Sequence, residues 1–158
     1  MPRAFHYHRA VAPMMWVLVA LCSIELIVDH LVLMHWYPGV AAILSVATLS
    51  GLVWLVRVIL SFRRLPVLLT EDRIVMRVGT LREVVVPLAS VKALPTDWTA
   101  ESLKARGVVN LALIAYPNIV IELDPPIVGE RRTITTVAHR LDDPAAFTAA
   151  LNAVGAAA

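Results

Sequence analysis

"CSIELIVDHLVLMHWYPG", residues 22–39, decides how this chain is read. It closes one long apolar run and opens another, with Glu25, Asp29 and His30 set inside the first. Followed outward, the runs cover about Met14 to Met34 and about Gly39 to Leu60. Each has roughly the 20 residues that a helix needs to cross the hydrocarbon core of a bilayer. Between residues 10 and 60 the only formal charges are Glu25, Asp29 and Arg57. A secretory signal is shorter and is not followed by a second apolar run. The pattern predicts a two-span membrane anchor over residues 1–62 and a water-exposed domain over 63–158.

The short link "HWYPG" makes the two helices antiparallel neighbours. Trp36 and Tyr37 suit the membrane–water boundary, as do His35 beside them and Trp16 at the other face. Pro38 suits the first turn of the second helix. Arg3 and Arg9 precede the first span, the link carries no Lys or Arg, and Arg57, Arg63 and Arg64 gather at the exit of the second. The positive-inside rule then puts both termini, and the domain, in the cytoplasm. Arg57 is placed to snorkel toward that face. His6 and His8, in "HYHR", read as a solvated tail at headgroup level.

Counting inward at about 1.5 Å per residue sets Glu25 near the midplane. It falls opposite Ala47 and Thr48, and Asp29 falls opposite Ser45. Ala41, Ser45, Thr48 and Gly51 make a stripe of small residues at helical spacing, which favours close packing in lipid. Glu25 and Asp29 share a face, with Cys22 below and His30 at its edge. Three roles are open to the polar cluster Glu25, Asp29, His30, Ser45 and Thr48. It can be hydrogen-bonded packing across the hairpin, a contact with another membrane subunit, or a proton path or metal site. The second span offers no His, Cys or carboxylate, so a metal would need ligands from a partner chain. Within this chain no metal site is expected.

The 158 residues are 59% hydrophobic and 16% charged, with a mean hydropathy of +0.75 and a net charge of +2. A soluble domain carries about 25% charged residues. Beyond residue 60 basic and acidic side chains nearly balance, which excludes the strongly basic face of a nucleic-acid binder. The single cysteine, Cys22, cannot form an internal disulfide. There is no glycine-rich phosphate loop, no Ser–His–Asp or Cys–His set, and no histidine pair at zinc spacing. No catalytic residue and no cofactor are expected.

After "SFRRLP" the periodicity becomes that of strands: "PVLLT", "RIVMRVG", "REVVVP" and "SVKAL", with a hairpin turn at Gly79–Thr80. Further strands are expected at about 108–115, 118–124 and 131–139, punctuated by "YPN" and "DPPIVGE". "TDWTAESLKARG" can hold a short helix, with Trp98 as a core plug or an exposed anchor. In "LDDPAAFTAALNAVG" Asp143 is an N-cap and Pro144 a first helical residue. Ala146, Phe147, Ala150, Leu151 and Val154 form one apolar face, Gly155 is a stop, and capping accounts for Asp142 as well as Asp143.

The run "LPVLLTEDRIVMRVGTLREVVVPLASVKAL" resembles the opening of a bacterial pleckstrin-homology (PH)-like domain, and "LDDPAAFTAAL" resembles the closing helix. "YPNIVIELDPPIV" is similar to a strand pair of the same group. The layout resembles small bacterial membrane proteins with two spans, an acid and a histidine in span one, and a PH-like tail. This resemblance implies an α+β chain: a transmembrane hairpin, then an antiparallel sheet or barrel capped by a C-terminal helix. It implies the bacterial inner membrane and carries no activity. The expected role is a non-enzymatic interaction or assembly module, bound to the bilayer and to a membrane-protein partner or a second copy. The alternative is capture of anionic headgroups, with Arg63, Arg64, Arg73, Arg77, Arg82, Trp98, Arg131 and Arg132 as headgroup or partner contacts.

Overall fold

The computed structural model describes residues 2–9, 11–129 and 133–155. Two long helices, α1 (Ala12–Trp36) and α2 (Pro38–Arg64), follow a short first strand, β1 (Arg3–Phe5). Only Tyr37 separates the helices, and Pro38 opens the second. At about 1.5 Å per residue they are roughly 38 and 40 Å long, and both are long and apolar enough to cross a membrane. No residue within α1 is fully buried, so Ile24, Ile27, Leu31 and their neighbours face outward.

The two helices meet along a seam of positions three or four residues apart, the ordinary spacing of one helix face. In α1 the shielded positions are Met15, Val19, Cys22, Leu26, His30 and Leu33. In α2 they begin at Ala41, Ser45, Thr48 and Leu52, and reach Ile59. The small-residue stripe is therefore present at Ala41, Ser45 and Thr48. It continues through Leu52, not Gly51, which is exposed with open space where a Cβ would sit.

The remainder is two open sheets and one helix, an α+β chain in which neither sheet closes into a barrel. The first sheet has the order β1–β2–β3–β4, with β2 Val67–Leu69, β3 Arg73–Val78 and β4 Arg82–Pro87. Ile74, Met76 and Val78 point inward and face Val84 and Val86 of β4, the two-residue alternation of a half-buried strand. The second sheet contains β5 (Val91–Ala93), β6 (Val108–Asn110), β7 (Ile119–Val128) and β8 (Thr133–His139), in the order β5–β7–β8–β6. The last helix, α3 (Pro144–Gly155), buries Phe147, Ala150 and Leu151 in the core that both sheets share. Asp143 caps it as expected, accepting the Ala146 N–H at 2.9 Å.

Several local expectations are corrected. The strand expected over 108–115 ends at Asn110, whose side chain accepts the Ala112 N–H at 2.9 Å. Leu113 then takes a φ of 54°, which no strand tolerates. β6 also pairs with β8 in parallel, so the second sheet is mixed rather than antiparallel. "DPPIV" does not end β7. The strand continues to Val128 across a register shift between Glu122 and Ile127, where the prolines need donate nothing to the ladder. The region around Trp98 and Glu101 forms only a 3-10 turn, Ser102–Lys104.

The largest correction concerns residues 2–9. They are not a solvated tail. Arg3, Ala4 and Phe5 pair with Leu69, Leu68 and Val67, so the helical hairpin is inserted between the first two strands of a sheet. Phe5 meets the ring of Phe147 edge-on at 5.2 Å. Tyr7 is 2% exposed and packs against Phe62 of α2 and His139 of β8. Its hydroxyl accepts the Gly79 N–H at 2.6 Å and donates to the Leu65 carbonyl at 3.1 Å. Burial pushes the phenol above its ordinary value of 10, so at neutral pH the donor is intact.

Gly79 is required where it stands. Its φ is +49°, and a Cβ there would lie 2.8 Å from the Phe62 ring and would also strike Ser61. The hairpin tip therefore rests directly on α2. Val58 and Phe62 of that helix share one core with Tyr7, Val11 and both sheets, which makes hairpin and sheets a single packed body.

Tyr7→Phe keeps the ring and removes both hydroxyl bonds, leaving a buried Gly79 N–H unsatisfied. Loss of such a pair costs about 1–3 kcal/mol. Chemical denaturation of the purified chain in detergent should show a loss of that size, and an unchanged midpoint would mean the hydroxyl contributes nothing.

Candidate functional site

The polar residues of the hairpin divide between two surfaces. His30 lies in the α1–α2 seam, with Nδ1 2.7 Å from the Ser45 hydroxyl. Asp29 does not take that position, which corrects the pairing expected from depth. Depth along an axis is insensitive to rotation, and one residue turns the helix by about 100°. Thr48 is half-buried in the same seam, one turn further along.

Glu25 and Asp29 stand off the seam on an exposed flank of α1. Relative to Leu26 at the seam they are rotated by about −100° and −60°. Neither carboxylate has a hydrogen bond or ion pair among the described residues, and Thr48 does not meet Glu25. On the opposite flank, Ile27, Leu31, Val46 and Leu49 line a shallow apolar groove with His30 and Ser45 at its floor. The two carboxylates and the imidazole therefore do not converge. Among the described residues, no set of three or more His, Cys, Asp or Glu is grouped to hold a metal ion.

The basic residues of the sheets are unequal. Arg73 is held by Asp72, with nitrogen–oxygen distances of 2.8 and 2.7 Å, and Thr70 supports the same carboxylate. The Arg73 guanidinium and the Thr70 hydroxyl hold the Asp72 carboxyl below its usual value. Arg77 pairs across the strands with Glu83 at 2.7 Å. Arg82 is exposed without an ion pair among the described residues, and Arg63 and Arg64 are exposed at the end of α2. Arg131 and Arg132 lie outside the described residues. Trp98 is half-buried over a cleft between the start of β7 and α3, and its indole N–H is shielded without an acceptor among the described residues.

A second polar cluster was not singled out by the sequence. At the end of β8, His139 Nε2 meets the Arg77 carbonyl at 2.9 Å, and its Nδ1 accepts the Arg140 N–H at 2.7 Å. That pattern defines a neutral imidazole that carries its proton on Nε2. Leu141 exchanges two backbone bonds of 2.8 Å with the Asn118 amide. Asp142, expected to serve as a cap, instead accepts the Arg9 N–H at 3.1 Å and lies 3.8 Å from His8. Its own N–H donates to the His6 carbonyl at 2.9 Å. Residues 139–142 thus tie the N-terminal segment to both sheets. A histidine ending an apolar strand was the one available signal.

No protein-family model matches the chain, and no curated protein and no solved structure matches it either.

Burial lowers the His139 pKa from its ordinary value of 6.5. The folded form then resists a proton that the unfolded chain accepts. Its contribution to stability is complete above about pH 6.5 and is lost as pH falls through the folded value. Below pH 6.5 the unfolding free energy should fall more steeply in the wild type than in His139→Gln. The difference is at most about 1.4 kcal/mol per pH unit. Parallel pH profiles for the two proteins would exclude His139 as the titrating group.

Proposed function

We propose that the chain is an integral protein of a bacterial inner membrane, with both termini in the cytoplasm. In this reading it is a non-enzymatic interaction or assembly module of a larger membrane complex. The observation that carries the reading is the placement of Glu25 and Asp29. Two carboxylates on a lipid-facing flank near mid-span are costly unless they are neutralised or paired. The hairpin supplies them with no donor. A transmembrane helix of another subunit, with hydrogen-bond donors at that depth, supplies what is missing.

The sheets support the same reading. Two sheets of short strands, with one terminal helix packed on their shared core, are the parts expected of a PH-like domain. Arg3, Arg9, Arg57, Arg63 and Arg64 lie at the sheet-bearing end of the hairpin, which favours a cytoplasmic domain. A proton path or metal site is less favoured, because His30 faces the seam and the carboxylates face away from it.

The test is purification of the tagged full-length protein in a mild detergent, with mass spectrometry of what remains bound. A stoichiometric membrane protein should be retained by wild type and by Glu25→Gln/Asp29→Asn, which keep the capacity to hydrogen-bond. Glu25→Leu/Asp29→Leu should reduce its recovery by roughly tenfold, the equivalent of about 1.4 kcal/mol. Absence of a stoichiometric partner, or equal recovery with the leucine pair, would refute the proposal.

A further inference from the structure

The outer face of α2, away from α1, carries a feature unconnected with the carboxylate flank. Ser50, Trp54, Arg57, Leu60 and Arg64 follow one another on this face, and Thr80 of the β3–β4 turn forms the opposite wall. Together they enclose an open groove of about 700 Å³. Its floor is fixed: Ser61 donates to the Val58 carbonyl at 2.6 Å and accepts the Thr80 N–H at 3.1 Å. Gly79 lies against Ser61 and Phe62 and holds the turn there.

Polarity changes along this groove in one direction. The Ser50–Trp54 end is apolar, because the Ser50 hydroxyl is turned back onto the Val46 carbonyl at 2.7 Å. Two turns on come Arg57, then Leu60, then Arg64 at the end of the helix. Neither guanidinium has an ion pair among the described residues, and the Thr80 hydroxyl has no hydrogen bond there. By contrast, Arg73 and Arg77 on the sheet are already neutralised by Asp72 and Glu83.

Two unpaired cations about 10 Å apart along the axis, above an apolar trough continuous with the span, match one class of ligand. We infer that this groove binds an anionic glycerophospholipid. The headgroup phosphate lies between Arg57, Arg64 and Thr80, and an acyl chain lies along Trp54 toward Ser50. A soluble phosphate would use the cations but leave the trough empty. A protein partner would not require polarity graded along the direction in which the helix leaves the bilayer. Arginine is the suited cation, because its fork presents several donors to phosphate oxygens.

The test uses full-length protein in detergent and native mass spectrometry, with phosphatidylglycerol and phosphatidylcholine of matched chains. Phosphatidylglycerol should be retained over phosphatidylcholine by roughly tenfold. Arg57→Gln/Arg64→Gln should abolish that preference, and Arg73→Gln/Arg82→Gln should leave it intact. Thr80→Glu, which places a negative charge at the mouth without touching either cation, should also abolish it. Equal retention of the two lipids, or a preference that survives Arg57→Gln/Arg64→Gln, would overturn the site. So would a loss caused equally by the Arg73 and Arg82 changes. Glycerol phosphate competing as well as the lipid would overturn the lipid assignment, since the trough would then contribute nothing. The Glu25 and Asp29 variants should keep the lipid preference, so this result is independent of partner recovery.

Discussion

One hydroxyl joins the three parts of this molecule. Tyr7 comes from the segment before α1, accepts a hydrogen bond from the amide at the β3–β4 turn, and donates one to the carbonyl where α2 ends. Its ring meets Phe62 and His139, so the same side chain reaches α2 and the second sheet. Without this contact the N-terminal strand would be held by a three-residue ladder, by Phe5 against Phe147 and by Asp142. The insertion of the hairpin between β1 and β2 depends on that strand staying in place. The orientation of hairpin and sheets relative to one another follows from it.

That rigid junction gives the two surfaces of the hairpin distinct settings. The carboxylate flank of α1 lies along the span, where a protein neighbour can reach it. The Arg57–Arg64 groove lies at the junction itself, and Thr80, which lines it opposite the helix, belongs to the turn that Tyr7 and Ser61 hold against α2. The groove thus exists only when sheet and helix are docked, whereas the flank needs only the helix. Packing in the core and polarity on the surface are coupled here through Gly79, the residue that lets the turn approach so closely.

Much of the hairpin was legible in the sequence because its signals are local. Span length, the Pro38 start, and the positions of Ala41, Ser45 and Thr48 follow from counting along one chain. The alternation in "RIVMRV" and the Asp143–Pro144 helix start are local in the same sense. Rotation was not legible: counting depth set Asp29 against Ser45, while a step of one residue puts His30 there. The N-terminal strand escaped because "RAF" has no periodicity, and its partner lies more than sixty residues away. The hub at His139–Asp142 escaped for a related reason. Its bonds are to backbone atoms of Arg77, His6 and Arg9, and backbone atoms carry no side-chain signature. The carboxylate flank was visible as composition, but that it faces outward required the fold.

Amide hydrogen exchange at Gly79 tests the junction most directly. A glycine at the tip of a hairpin turn ordinarily exchanges quickly, because turn amides face water. Bonded to the buried Tyr7 hydroxyl, this amide should be protected to the level of the β3 and β4 core amides, and Tyr7→Phe should release it selectively. Fast exchange at Gly79 in the wild-type protein, or protection unchanged by Tyr7→Phe, would contradict the docking of the N-terminal segment on which the rest depends.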